Sequence, residues 1–147
     1  MDMWGSDKDP KNSQDTRTIP TRPRVLVVDD EESIRRFVDR ALRGAGYDVD
    51  AAANGPEALA LVEAQRPFDL YVLDVVMPEM RGDELGRRLR QRDPDAKVLY
   101  FTGYSDVLFR EKQVLWDNES FAEKPLTIEG LREAVSLLLF GHTRGPQ

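Results

Sequence analysis

The sequence predicts an α/β fold, a doubly wound five-stranded parallel sheet with five helices. Three observations predict it. Short apolar runs alternate with longer stretches whose apolar residues recur at helical spacing. The first run is continuous and β-branched, as a strand buried on both faces requires. The alternation then repeats in five units of about 20–25 residues, a length that implies right-handed crossovers with helices on both faces of the sheet.

Val25-Leu26-Val27-Val28 is the first strand. Ile34, Phe37, Val38, Ala41 and Leu42 fall at i, i+3, i+4, i+7 and i+8, one face of a first helix that Gly44 and Gly46 end. Tyr47 to Ala52 is a weaker second strand. A second helix starts around Asn54-Gly55-Pro56, with proline in its first turn, and carries Ala58, Leu59, Leu61 and Val62. Asp69 to Leu73 is the third strand, and residues 82–92 form a third helix with Leu85 and Leu89 inward, ending before Asp93-Pro94. Lys97 to Phe101 is the fourth strand; Ser105 or Asp106 caps a fourth helix through Val107, Leu108 and Phe109. Ser120 to Glu123 is a short fifth strand and 127–140 the last helix, for which Thr127 with Gly130 makes a poor capping box.

The folded unit therefore spans 23–140. Residues 1–22, rich in Asp, Lys, Asn, Ser, Thr and Pro, read as a flexible tail, as do residues 141–147. No cysteine is present, which excludes disulfides and thiolate metal sites. The one histidine, His142, has no second His nearby, so a His-based metal site or a Ser/His triad is excluded as well. A formal charge of −6 argues against sequence-independent nucleic-acid binding, and Arg35–Arg36 and Arg87–Arg88–Arg90 read as solvated helix faces. Without a membrane span or a signal-peptide core, a cytoplasmic protein that meets neither membrane nor nucleic acid is expected.

In doubly wound sheets the functional crevice lies outside the carboxyl ends of the strands. The residues there are Asp29-Asp30 after strand one, Asp74 after strand three, Thr102 after strand four and Lys124 after strand five. A phosphate-cradling turn would be glycine-rich, but Asp29-Asp30-Glu31-Glu32 is acidic and suits a hard cation such as Mg2+, which takes one or two carboxylates and phosphate oxygens. Acids at a helix N-terminus also favour its dipole; that accounts for Glu31 and Glu32 but not for Asp29 at the end of a buried strand. Asp74 can then act as a nucleophile toward a phosphoryl group, with the cation and Lys124 neutralising charge and the Thr102 hydroxyl donating to an oxygen.

Val25-Leu26-Val27-Val28-Asp29-Asp30-Glu31, Leu73-Asp74-Val75-Val76-Met77-Pro78-Glu79-Met80-Arg81-Gly82, Phe101-Thr102-Gly103 and Glu123-Lys124-Pro125 together resemble a response-regulator receiver domain of two-component signalling, over about residues 23–140. The resemblance implies a flavodoxin-like strand order, 2-1-3-4-5. It implies that Asp74 is the phosphoacceptor, that Asp30 binds Mg2+ (or Mn2+) directly and Asp29 mainly through water, and that the Val76 backbone carbonyl is a further ligand. Thr102 and Lys124 would contact the phosphoryl group, Phe121 would be the aromatic switch that follows Thr102, and Lys124–Pro125 would be cis.

Two departures from the family pattern, Val76 where a polar residue is common and bulky Tyr104 at the pocket mouth, lead us to expect a long-lived acyl phosphate. The phosphoryl donor would be a sensor histidine kinase or a histidine phosphotransfer protein. Leu137-Leu138-Leu139-Phe140 and Trp116 suggest a homodimer or downstream partner on helix four, strand five and helix five. We expect a stand-alone switch, not an enzyme beyond its own phosphorylation and slow dephosphorylation. The alternatives are a receiver cut from a hybrid histidine kinase and a phosphorylation-independent scaffold. A haloacid-dehalogenase-like hydrolase would need an Asp where Val76 stands.

Overall fold

The structure, a computed structural model, describes residues 22–65, 67–103 and 118–141. Five strands, β1 (Arg24–Val28), β2 (Asp48–Ala52), β3 (Leu70–Leu73), β4 (Val98–Thr102) and β5 (Glu119–Glu123), form one sheet. All neighbours are parallel and the order is β2-β1-β3-β4-β5. The helices among the described residues are α1 (Glu32–Arg43), α2 (Gly55–Ala64), α3 (Gly82–Arg92) and α4 (Ile128–Phe140). They number four and not the expected five, because the helix expected from Ser105 or Asp106 onward falls at 104–117, outside the described residues. Tyr104, Trp116 and His142, and with them 1–21 and 142–147 of the expected tails, also lie outside.

The strand alternation divides the core in two. Val25 and Val27 of β1 face one cluster with Val38, Ala41 and Leu42 of α1 and Leu131, Val135 and Leu139 of α4. Leu26 and Val28 face the other, with Ala58 and Val62 of α2 and Leu85 and Leu89 of α3. Successive side chains of a strand point to opposite faces, so a strand apolar at every position must be covered twice. β1, β3 and β4 are buried at nearly every position, which fits their central places in the sheet. β2, at the edge, alternates exposed Asp48 and Asp50 with buried Val49.

Local chemistry sets the helix ends. Asn54 caps α2 by accepting from the Glu57 N–H at 2.8 Å. The weak box expected at Thr127 is in fact a working cap: its hydroxyl accepts from the Gly130 N–H at 2.9 Å, and only the return arm is missing. Arg132 of α4 donates to the Ala41 carbonyl of α1 at 2.7 Å and joins the two helices on their shared face. In the Leu137–Phe140 stretch, Leu139 is buried, Leu138 and Phe140 pack partly on the core, and Leu137 is half exposed. Among the described residues no helix is long and apolar enough to cross a membrane.

Candidate functional site

The sheet brings the strand-end residues together as its topology requires. β1 and β3 are neighbours in register, Val28 opposite Leu73, so the residues that follow them, Asp29 and Asp74, emerge side by side. The Asp74 N–H donates to the Val28 carbonyl at 2.9 Å, and the Asp29 N–H to the Ala52 carbonyl at 3.2 Å. Thr102 is the last residue of β4 itself, not the residue after it as the sequence suggests, and it is fully buried. Its carbonyl accepts from the Lys124 N–H at 3.0 Å, which sets Lys124 just beyond β5. The Lys124–Pro125 bond is cis.

Asp29, Asp30 and Asp74 each offer a carboxylate oxygen, all within 4.8 Å of one another. Asp29 and Asp74 are buried; Asp30 is exposed. Lys124 Nζ lies 2.7 Å from Asp29 Oδ2, 3.7 Å from Asp74 Oδ1 and 4.0 Å from Glu31 Oε1. Asp74 Oδ1 accepts from the Val75 N–H at 2.9 Å. Burial, and then the Asp29 charge, push the Asp74 carboxyl up to about 6, while Lys124, the Thr102 hydroxyl and the Val75 N–H pull the other way. The carboxyl is thus held short of its full ionic comfort: its neighbours include a like charge that its donors do not cancel.

That repulsion is what a divalent cation relieves. Three carboxylates beside an open cleft of about 680 Å3 match the oxygen chemistry of Mg2+. Asp30, Asp74, Val76, Met77, Pro78 and Lys124 line that cleft. Val76 stands at its mouth with 40% of its surface exposed. Phe121, half-buried, packs against the α2–α3 side of the core and stands in register beside Tyr100, two residues before Thr102. By alternation Tyr100 and Thr102 share that face of β4, so Phe121 and Thr102 lie on the same side of the sheet.

Two contributors were not singled out from the sequence. A Cβ at Gly82 would lie 1.8 Å from the Asp74 carbonyl oxygen, so only glycine lets the start of α3 close over the acceptor. Its signal was present in Met80-Arg81-Gly82, but nothing local said which backbone it would meet. Arg35, read as part of a solvated helix face, instead donates to the Asp29 carbonyl at 2.7 Å.

A profile described as the response regulator receiver domain matches residues 25–136. The chain is 34% identical over 116 residues to the response regulator receiver protein CpdR of Brucella abortus, covering 79% of this chain and 96% of that protein. It is 39% identical to the sensor kinase CckA of the same organism, covering 78% of this chain but only 12% of that kinase. Among solved structures it is similar to the response regulator TrrA of Thermotoga maritima in complex with Mg2+-BeF, with a TM-score of 0.71, 36% identity, and coverage of 80% of this chain and 99% of that one.

Proposed function

The chain belongs to the response regulator receiver domain family of two-component systems, and from that premise we propose that Asp74 accepts a phosphoryl group from a sensor histidine kinase or a histidine phosphotransfer protein. The observation that carries this reading is the convergence of the buried Asp74 carboxyl with Asp29, Asp30 and Lys124 at the carboxyl ends of three strands, where burial and then the Asp29 charge push that carboxyl up to about 6. A structural carboxylate at that depth would be matched by donors and free of like-charged neighbours.

An Asp74 oxygen attacks phosphorus as the bond from phosphorus to the donor nitrogen breaks, and the electron pair leaves with that imidazole nitrogen. Asp29, Asp30, Asp74 and the Val76 carbonyl would hold Mg2+ or Mn2+, which when bound supplies positive charge to the phosphoryl oxygens. Lys124 stands within 4 Å of both Asp29 and Asp74, near enough to swing toward a phosphoryl oxygen on Asp74. Thr102 already hydrogen-bonds Asp74 and would turn its hydroxyl to the new oxygens, with Phe121 following on the same side of the sheet. The surface altered by that movement is where a partner or a second copy would read the state. Beyond forming and slowly losing its own acyl phosphate, no turnover is expected.

Incubating the 147-residue chain with acetyl phosphate and Mg2+ tests this. One phosphoryl mass should appear on the unaltered protein and disappear with Asp74→Ala or with EDTA. Labelling that survives Asp74→Ala would sink the assignment. The similarity to a stretch of the sensor kinase CckA supports a second reading, a receiver segment of a hybrid kinase, which the length of the encoded product decides.

A further inference from the structure

Asp29 is held at every polar atom. Its N–H donates to Ala52, Oδ1 accepts from the Glu31 N–H at 2.9 Å, Oδ2 takes Lys124, and its carbonyl accepts from Arg35 Nη1 at 2.7 Å. Three of these partners belong to the sheet end and the acidic turn. The fourth comes from α1, six residues on, with a half-buried side chain running back toward the N-terminus of its helix, the direction in which helical side chains lean. The Asp29 carbonyl shares a rigid peptide plane with the Asp30 N–H. A guanidinium fixed on that oxygen therefore fixes the peptide plane from which the Asp30 backbone begins. Asp30 needs such help, because it is exposed while Asp29 is buried.

Charge alone gives the opposite expectation. A cation beside three carboxylates repels a second cation, so a guanidinium that acted only through its charge would weaken divalent binding. Arg35 bonds to the carbonyl and not to a carboxylate, which leaves the ligand oxygens available while the backbone is held.

We propose that Arg35 is a positioning residue for the cation site: through the Asp29 carbonyl it presets the Asp29–Asp30 turn and so tightens Mg2+ binding. This rests on the reading of Asp29, Asp30 and Asp74 as the cation site. Mg2+ titration of the full chain, followed by amide chemical shifts, compares the unaltered protein with Arg35→Ala, Arg35→Lys and Arg36→Ala. Arg36 is the control: it removes the same charge one residue away, but its side chain is 75% exposed and paired with Glu32.

We expect the Mg2+ dissociation constant to rise about 10-fold in Arg35→Ala, in keeping with the cost of removing partners behind metal ligands. Arg35→Lys should fall between, and Arg36→Ala should bind as tightly as the unaltered protein or more so. Without Mg2+, the Glu31 amide should exchange faster in Arg35→Ala, since its acceptor is no longer preset. Equal or tighter Mg2+ binding by Arg35→Ala overturns the proposal. If that variant is too unstable to titrate, Arg35→Lys binding as tightly as the unaltered protein does the same. No Mg2+ binding by the unaltered protein overturns the cation-site reading itself, and the proposal with it.

Discussion

Asp74 and Glu119 are both carboxylic acids buried in the same sheet, 5% and 7% exposed, yet their surroundings are opposite. Glu119 opens β5, and its Oε2 takes Arg90 of α3 and the hydroxyl of Tyr100 on β4, the latter at 3.0 Å. Gly86, one turn before Arg90, leaves room for that hydroxyl, since a Cβ there would lie 2.5 Å from it. The cluster is satisfied and joins three elements. Asp74 has donors too, but burial and, after it, the charge of Asp29 beside it raise its carboxyl to about 6. One buried acid is matched by opposite charge and serves the fold. The other is left electrostatically incomplete, which is what a phosphoryl group and a cation require.

Substitutions at the two acids should therefore change stability in opposite directions. Glu119→Ala leaves the part-buried Arg90 guanidinium without that carboxylate and should cost about 3 kcal/mol in urea unfolding. A loss under about 1 kcal/mol would end the claim that this acid is structural. Asp74→Asn should instead stabilise the metal-free protein. The folded carboxyl holds its proton up to about 6, against 3.8 in the reference state, so ionising it opposes folding. The stability tied to the protonated form is complete below about pH 4 and lost as pH rises through about 6. Asp74→Asn should then gain about 2 kcal/mol at pH 7–8, within the ~3 kcal/mol that the shift allows, and nothing at pH 4. A stability gain independent of pH would break the comparison.

Smaller changes sharpen it. Tyr100→Phe removes a donor to Glu119 and should cost about 1 kcal/mol without altering phosphorylation of Asp74. Val76→Asn, at the cleft mouth beside Asp74, should leave stability unchanged and shorten the life of the acyl phosphate about 3-fold, under 1 kcal/mol in barrier. Loss no faster than in the unaltered protein, timed by the decay of the phosphorylated mass, would refute the long-lived phosphate. The companion residue in that expectation, Tyr104, lies outside the described residues.

Much of this was legible in the chain. The third helix runs over 82–92 as its Leu85–Leu89 spacing and the Asp93-Pro94 stop require, and the five strands fall within a residue of the apolar runs that announce them. Strand ends are less local: the sequence places Thr102 just after β4, whereas it is the last residue of that strand, because pairing with β5 extends the ladder to Glu123. Ile34 and Phe37, on the same face of α1 by spacing, are only half-buried and pack against the buried cluster from outside it.

The sequence by itself determined the alternation of strand and helix and the acids, hydroxyl and lysine at the strand ends. Periodicity, caps and turns are written within a few residues of one another, so no distant contact is needed to read them. Only the tertiary structure decided how those groups share charge. Lys124 lies 2.7 Å from Asp29 across 95 positions of chain, but 3.7 Å from Asp74, and Arg90 meets Glu119 across 29 positions. Glu119 looks like an ordinary surface charge until the packing of β4, β5 and α3 brings Tyr100 and Arg90 within reach. Electrostatic energy depends on separation and on burial, and both are fixed by packing between segments that the chain keeps far apart.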